Sequence, residues 1–238
     1  MVVIMILQLS PTNNNINELI PESELKGAFI VFWGDVGVGK TTLSLCASLS
    51  VLVSGKKVIY INTRPNFKYE RFSQLKSSYK DFNKQYFILY NAETAKQLVK
   101  IIMRLEFLFL EEIRLLGRSS IGLVVLDTAT TLFHVEMKSK NFNEKLQGDI
   151  NNTLATLQFL ATKYNIPVIV TDRLIRTYND SGNNNTKPAN ERTISYFSTH
   201  LLKIERTENA GERILLLQKN PKNLPKQIRT QLIRTGFD

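Results

Sequence analysis

The sequence predicts an α/β fold: a mostly parallel twisted sheet with helices on both faces and a C-terminal antiparallel extension. Three observations carry that expectation. Between residues 28 and 171, short apolar runs alternate with longer stretches of helical periodicity, the pattern of strand–helix–strand units. After residue 200 the helical stretches cease, and short β-branched runs follow one another across tight turns, which suits antiparallel pairing. A glycine-rich loop separates the first apolar run from the first helical stretch.

Residues 1–25 read as a lead-in, with a polar turn at 11–16 (Pro-Thr-Asn-Asn-Asn-Ile). Ala28–Trp33 is an apolar run that stops at Gly34, as a buried strand would. From Lys40 onward Leu43, Ala47, Leu49 and Leu52 keep one apolar face, and Gly55 is placed to cap that helix. Val58–Ile61 is the second strand, Tyr69–Tyr79 an amphipathic helix and Tyr86–Leu89 the third strand. Ala92–Leu116 has a long helical pattern in which Phe107–Leu110 reads as a buried stretch. Leu123–Leu126 is the fourth strand, followed by a loop carrying His134. A second long helix covers about Glu144–Tyr164, and Pro167 opens the strand Val168–Thr171. Residues 174–192, rich in Asn, Ser and Gly, read as a mobile loop. Leu201–Arg206, Ile214–Gln218 and Ile228–Ile233 supply the antiparallel extension.

The chain of 238 residues carries 43% hydrophobic and 22% charged residues, within the globular range, and shows neither repeat nor composition break. One domain over 1–238 is therefore expected. The single cysteine, Cys46, excludes a disulfide framework and reads as a small core residue, and two histidines, His134 and His200, leave little for a histidine-based metal centre. No apolar stretch reaches the length of a membrane span, and Met1–Leu9 lacks the basic start and small-residue cleavage site of a signal peptide. The expectation is a soluble cytoplasmic protein with no membrane partner, nucleoid-associated if archaeal. Lys and Arg number 31 against 21 Asp and Glu, a formal net charge of +10. Such a field attracts polyanions, and the last third of the sequence, from Arg173 to Arg234, holds many cations and few acids.

Gly34-Asp35-Val36-Gly37-Val38-Gly39-Lys40-Thr41 fits the phosphate-loop pattern G-x-x-x-x-G-K-[ST]. Glycines let successive backbone N–H groups converge on an anion, and the start of a helix adds partial positive charge. Lys40 can reach β- and γ-phosphates, while the Thr41 hydroxyl, with Thr42 following it, suits a Mg²⁺ ligand. The partner carboxylate expected at the C-terminal end of a buried strand is Asp127, after Leu123-Val124-Val125-Leu126.

Taken in order, Gly34–Thr42, Lys56–Arg71, Val124–Phe133, Lys163–Leu174 and Leu216–Pro225 resemble the RecA/RadA recombinase superfamily, and most closely short archaeal RadA paralogues of the RadB type. The resemblance covers the chain from about Asn14 to its end. It implies a RecA-like P-loop NTPase core, ATP with Mg²⁺, DNA as a partner, and a role beside a full-length RadA-type recombinase or other paralogues. It also implies that Arg71 packs on adenine, and that Arg176, Lys187 and Arg192 face DNA. Lys219–Pro225 resembles the segment that covers a neighbouring subunit's ATP, with Lys219 where recombinases carry an acid.

Two departures qualify the enzyme reading. The family's strand after the phosphate-loop helix ends in an Asp-Thr-Glu-like triplet whose Glu polarises water; here the residues are Asn62-Thr63-Arg64. A guanidinium stays protonated and cannot act as a base. The family's Asn-Gln pair, whose Gln senses the γ-phosphate, is replaced by Asp172-Arg173. Arg64 and Arg173 are thus expected to face the γ-phosphate from the ends of neighbouring strands. ATP binding with weak or absent hydrolysis, in an accessory or mediator of recombination and repair, is the leading reading. An active DNA-dependent ATPase and a nucleotide-gated protein-interaction module without a DNA role stay open.

Overall fold

Six consecutive residues, Phe29–Gly34 (β1), are buried without exception, so the strand they form needs cover on both faces. The computed structural model, which describes residues 8–10, 13–79, 81–139, 144–178, 184–222 and 224–238, places β1 in the middle of a ten-stranded sheet. Ahead of β1, Asn14–Leu19 (α1) and Glu22–Leu25 (α2) are helical, and α1 takes up part of the polar turn expected at 11–16. Asn13 explains the first: its side chain accepts a hydrogen bond from the Ile16 N–H, capping the helix.

Beyond β1 the elements follow in order: Lys40–Val53 (α3), Lys57–Asn62 (β2), Tyr69–Lys76 (α4), Phe87–Asn91 (β3), Ala95–Leu116 (α5), Ile121–Asp127 (β4), Thr131–Ser139 (α6) and Glu144–Tyr164 (α7). Val168–Tyr178 (β5), Asn184–Pro188 (β6), Glu191–Phe197 (α8), His200–Arg206 (β7), Glu212–Lys219 (β8), Lys226–Ile233 (β9) and Gly236–Phe237 (β10) complete the chain. Along the sheet the strands run β10-β9-β8-β7-β1-β5-β4-β2-β3, and β6 pairs with β5.

The six strands from β7 to β3 are mutually parallel, and β8, β9 and β10 continue antiparallel. This is the expected RecA-like core with its extension. One strand changes sides: β7 was expected within the antiparallel set, yet it pairs parallel with β1 and antiparallel only with β8. Alternate residues of β1 serve opposite cores. Ile30 and Phe32 pack with α1, α2 and α3, whereas Phe29, Val31 and Trp33 pack with α5, α7 and α8.

Three local expectations are corrected. Residues 128–139, read as a loop, contain α6, so His134 lies on a helix. The segment 174–192, read as a loop, is in its described residues a hairpin of β5 and β6 followed by the start of α8; residues 179–183 lie outside the described residues. On α5, Leu98, Ile102, Leu105 and Phe109 recur at helical spacing and are buried, but Phe107 and Leu110 point away from that face and are exposed. Cys46 is buried on α3, as expected, and burial pushes its thiol up to about 11.

Candidate functional site

At the C-terminal end of β1 the chain turns through residues 35–39 into α3, whose first N–H groups have no intrahelical acceptor and face the loop. The loop is braced from behind by the far strands. Gly39 adopts φ +113°, and a Cβ there would come within 2.6 Å of the Phe237 ring on β10. Arg206, the last residue of β7, donates from Nη2 to the Val36 carbonyl (2.7 Å), and Arg213 on β8 donates from Nε to the Val38 carbonyl (3.1 Å). Arg176 on β5 pairs with Asp35 (2.9 Å). Four elements distant in sequence thus hold a five-residue turn.

Lys40 is buried, and its ammonium donates to the Gly34 carbonyl (2.9 Å) and the Asp35 carbonyl (2.7 Å). Burial, aided by the Arg64 charge, brings its pKa down to about 8. Beside it, Thr41 Oγ1 donates to Asp127 Oδ2 (2.8 Å). Asp127 ends β4 and is almost wholly buried; it also accepts from the Tyr60 hydroxyl (3.0 Å) and from Thr171 Oγ1 (2.5 Å). The expected pairing of Thr41 with a strand-end carboxylate is therefore in place. Tyr60 and Thr171 were not anticipated as its partners; a polar tip within each apolar run was the available signal.

Arg64 follows β2, and its Nη2 lies 3.7 Å from Asp127 Oδ1. With Gly37, Gly39, Lys40, Thr41 and Arg71 it lines a cleft of about 240 Å³. Arg173 reaches the same end of the sheet in register with Gly34, but it sits inside β5 rather than at a strand end. The two arginines are not on neighbouring strands, because β4 lies between β2 and β5. Arg173 Nε is buried with no hydrogen-bond partner among the described residues. Its neighbour Asp172 is fully buried, accepting from Thr130 Oγ1 (2.5 Å) and from the Ala189 N–H (3.0 Å). Burial outweighs those hydrogen bonds and raises the Asp172 carboxyl to about 6.

Arg71 lies at the mouth of the cleft. It donates from Nε to Thr42 Oγ1 (3.2 Å) and from Nη1 and Nη2 to the Arg234 and Ile233 carbonyls (2.6 and 2.9 Å), so it ties α4 to the end of β9. Of the three cations expected to face DNA, Arg176 is engaged by Asp35, and Lys187 is 3.6 Å from Glu191, while Arg192 is exposed and has no ion pair among the described residues. Lys219 donates to the Ser195 and Ser198 carbonyls (2.6 and 2.5 Å), anchoring α8 to β8. No helix among the described residues is long and apolar enough to cross a membrane.

The sequence matches the Rad51 family model over residues 5–237. It is 27% identical to the DNA repair and recombination protein RadB of Methanocaldococcus jannaschii, over 94% of this chain and 98% of that one. The RadB of Thermococcus kodakarensis is 28% identical over 89% of this chain and 90% of its own length. Among solved structures, a crystal structure of the RadB recombinase superposes with a TM-score of 0.75 at 26% identity, covering 97% of this chain and 98% of that one. The backbone, the ordered blocks and the phosphate loop thus lead to one place: the chain belongs to the Rad51 family of the RecA/RadA superfamily and is of the RadB type.

Proposed function

We propose that this chain binds ATP with Mg²⁺ at the phosphate loop, hydrolyses it very slowly, binds DNA largely without regard to sequence, and acts as an accessory or mediator of a full-length RadA-type recombinase in recombination and repair. The repair and recombination setting is supported by the printed function of its RadB relatives. The chemistry is supported by one observation above the rest. The residue beside Asp127 where the family resemblance expects a water-polarising Glu is Arg64, held at 3.7 Å from that carboxylate.

The residues fit the group they would hold. The Thr41 hydroxyl and the Asp127 carboxylate are adjacent oxygen donors, the set a hard divalent cation takes with water. Bound there, Mg²⁺ would neutralise phosphate charge. Lys40 now gives its protons to two loop carbonyls and can exchange them for phosphate oxygens by a small rotation. Arg64 and Arg71 line the same cleft and add positive charge. Lys40, Arg64 and Arg71 are cations, and Asp127 is taken up by the Thr41, Tyr60 and Thr171 hydroxyls, so the water-polarising carboxylate has no counterpart among them; a well-placed general base contributes typically 10²–10⁴-fold. Binding is thereby separated from turnover.

Calorimetric titration with Mg-ATP tests the site. Wild-type protein is expected to bind, and Lys40→Ala to weaken binding by at least tenfold through loss of a charge-assisted contact. Equal affinity in the two proteins would overturn the assignment.

A further inference from the structure

A cavity of about 490 Å³ opens at the edge of the sheet remote from the phosphate loop. It is bounded by the starts of parallel strands: Lys56 just before β2, Ile121 at the head of β4, and Pro167 just before β5. The phosphate loop leaves the opposite end of these strands, which at six residues is about 20 Å away.

The charges in this cavity are unbalanced. Lys26, Lys56 and Arg118 all line it, and none has a carboxylate within 4 Å among the described residues. A fourth cation, Lys163, is matched by Glu106 at 2.6 Å, and the acid on the rim, Glu22, is engaged in no ion pair among the described residues. Lys56 is half-buried, and its stem lies across Gly122 of β4, where any Cβ would fall 2.9 Å from both its Cβ and its Cδ. This glycine, second in β4, therefore leaves room for the lysine stem and for Val51, whose Cγ1 a Cβ would meet at 2.8 Å. Burial, together with the Arg118 and Lys26 charges, pushes the Lys56 ammonium below its ordinary value. Lys26 and Arg118 are exposed and Lys56 is half-buried, and Glu22, the acid among the lining residues, offsets only part of their charge, so the cavity favours an anion. Leu25, Ile121, Ile166 and Pro167 give the cavity an apolar wall, and Ser119, Tyr164 and Asn165 add polar groups beside it.

We propose that this cavity is a second phosphate site, separate from the loop, that takes a phosphate group joined to an organic body. Lys56 and Arg118 make the main contacts and Lys26 a third. A phosphate offers more acceptor oxygens than a carboxylate to three neighbouring donors, and the arginine fork matches its geometry. The volume exceeds what a bare ion fills and lies within the range of small-ligand pockets, which leaves the apolar wall to hold the rest. A nucleotide carries both parts, either free or as a unit of a single strand. The site shares no residue with the phosphate loop, so it stands or falls independently of ATP binding there.

The test uses the full chain carrying Lys40→Ala, titrated with AMP and with a single-stranded thymidine oligonucleotide. Binding of either probe is expected to persist in that background and to weaken at least tenfold on adding Lys56→Gln and Arg118→Gln. Glu22→Gln, which removes the acid from the rim, is expected to tighten it, and Lys163→Gln, whose partner is Glu106, to change it little. AMP binding would identify free nucleotide as the source. Binding of the oligonucleotide alone would identify a strand, and the double change, which removes the contacts to one phosphate, should then flatten log K against log salt by about 0.7. Absence of binding by both probes, or binding unmoved by both the double change and Glu22→Gln, would overturn the proposal.

Discussion

Burial and the Arg64 charge hold the Lys40 ammonium at about 8, so above that pH the free protein has largely lost the charge a triphosphate needs. The anion favours the protonated form, and binding is then coupled to proton uptake. Affinity for ATP is expected to be flat from pH 6 to 7.5 and to fall by up to about tenfold per unit above 8. Calorimetry at pH 9 in two buffers of different ionisation enthalpy checks this; equal heats would show that no proton is taken up. Asp172 titrates in the opposite sense to a salt-bridged acid. Its folded value of about 6 lies above the ordinary 3.8, so between those values the native state binds more protons than the unfolded chain. Its contribution to stability therefore declines as pH rises through that window and is flat above it, a change of at most about 3 kcal/mol. Wild type should gain stability relative to Asp172→Asn on acidification from pH 7 to 4; a constant difference between the two would contradict the raised value. At this scale the sequence was most legible where chemistry is contiguous. The phosphate loop and the acid after Leu123–Leu126 could be read directly, because local spacing alone defines them. Arg206, Arg213 and Thr171 could not be, because they reach the loop only through the order in which strands pair.

Elements explain the remaining surprises. The parallel strands were readable as apolar runs, since burial on both faces leaves no other composition. The hairpin of β5 and β6 was not, because its polar residues resemble those of a loop and only pairing with one another makes them strands. That hairpin follows directly on Asp172-Arg173 and is tied to the phosphate loop by the Arg176–Asp35 pair. We expect ATP to bind more tightly than ADP and to slow hydrogen exchange across residues 174–178 and 184–192. Equal affinity together with equal exchange in both nucleotides would leave the hairpin unlinked to the site. The two-residue strand β10 was also invisible in sequence, yet Phe237 is fully buried beneath Gly39. Phe237→Ala is expected to destabilise the protein by about 3–5 kcal/mol, measured by chemical denaturation, and to weaken ATP binding with it. A loss below about 1 kcal/mol would mean that the loop does not lean on this strand.

The whole molecule carries a net charge of +10, and structure redistributes what composition could only count. Arg176, Lys187 and Lys163 are drawn into ion pairs, whereas Arg192 stays exposed and unpaired among the described residues. Arg192→Ala is accordingly expected to weaken DNA binding equally across sequences and to flatten log K against log salt by nearly one unit. Arg176→Ala should do less, and an unchanged slope for Arg192→Ala would place the DNA elsewhere. The claim on which the account turns is that the site binds nucleotide without turning it over. Its most direct test is a steady-state measurement of phosphate release from Mg-ATP, at saturating nucleotide, with and without single-stranded DNA. A rate at least a hundredfold below that of an ordinary ATPase is expected in both conditions, on protein shown by calorimetry to be loaded. Turnover of about 1 s⁻¹ or more, with or without DNA, would contradict it.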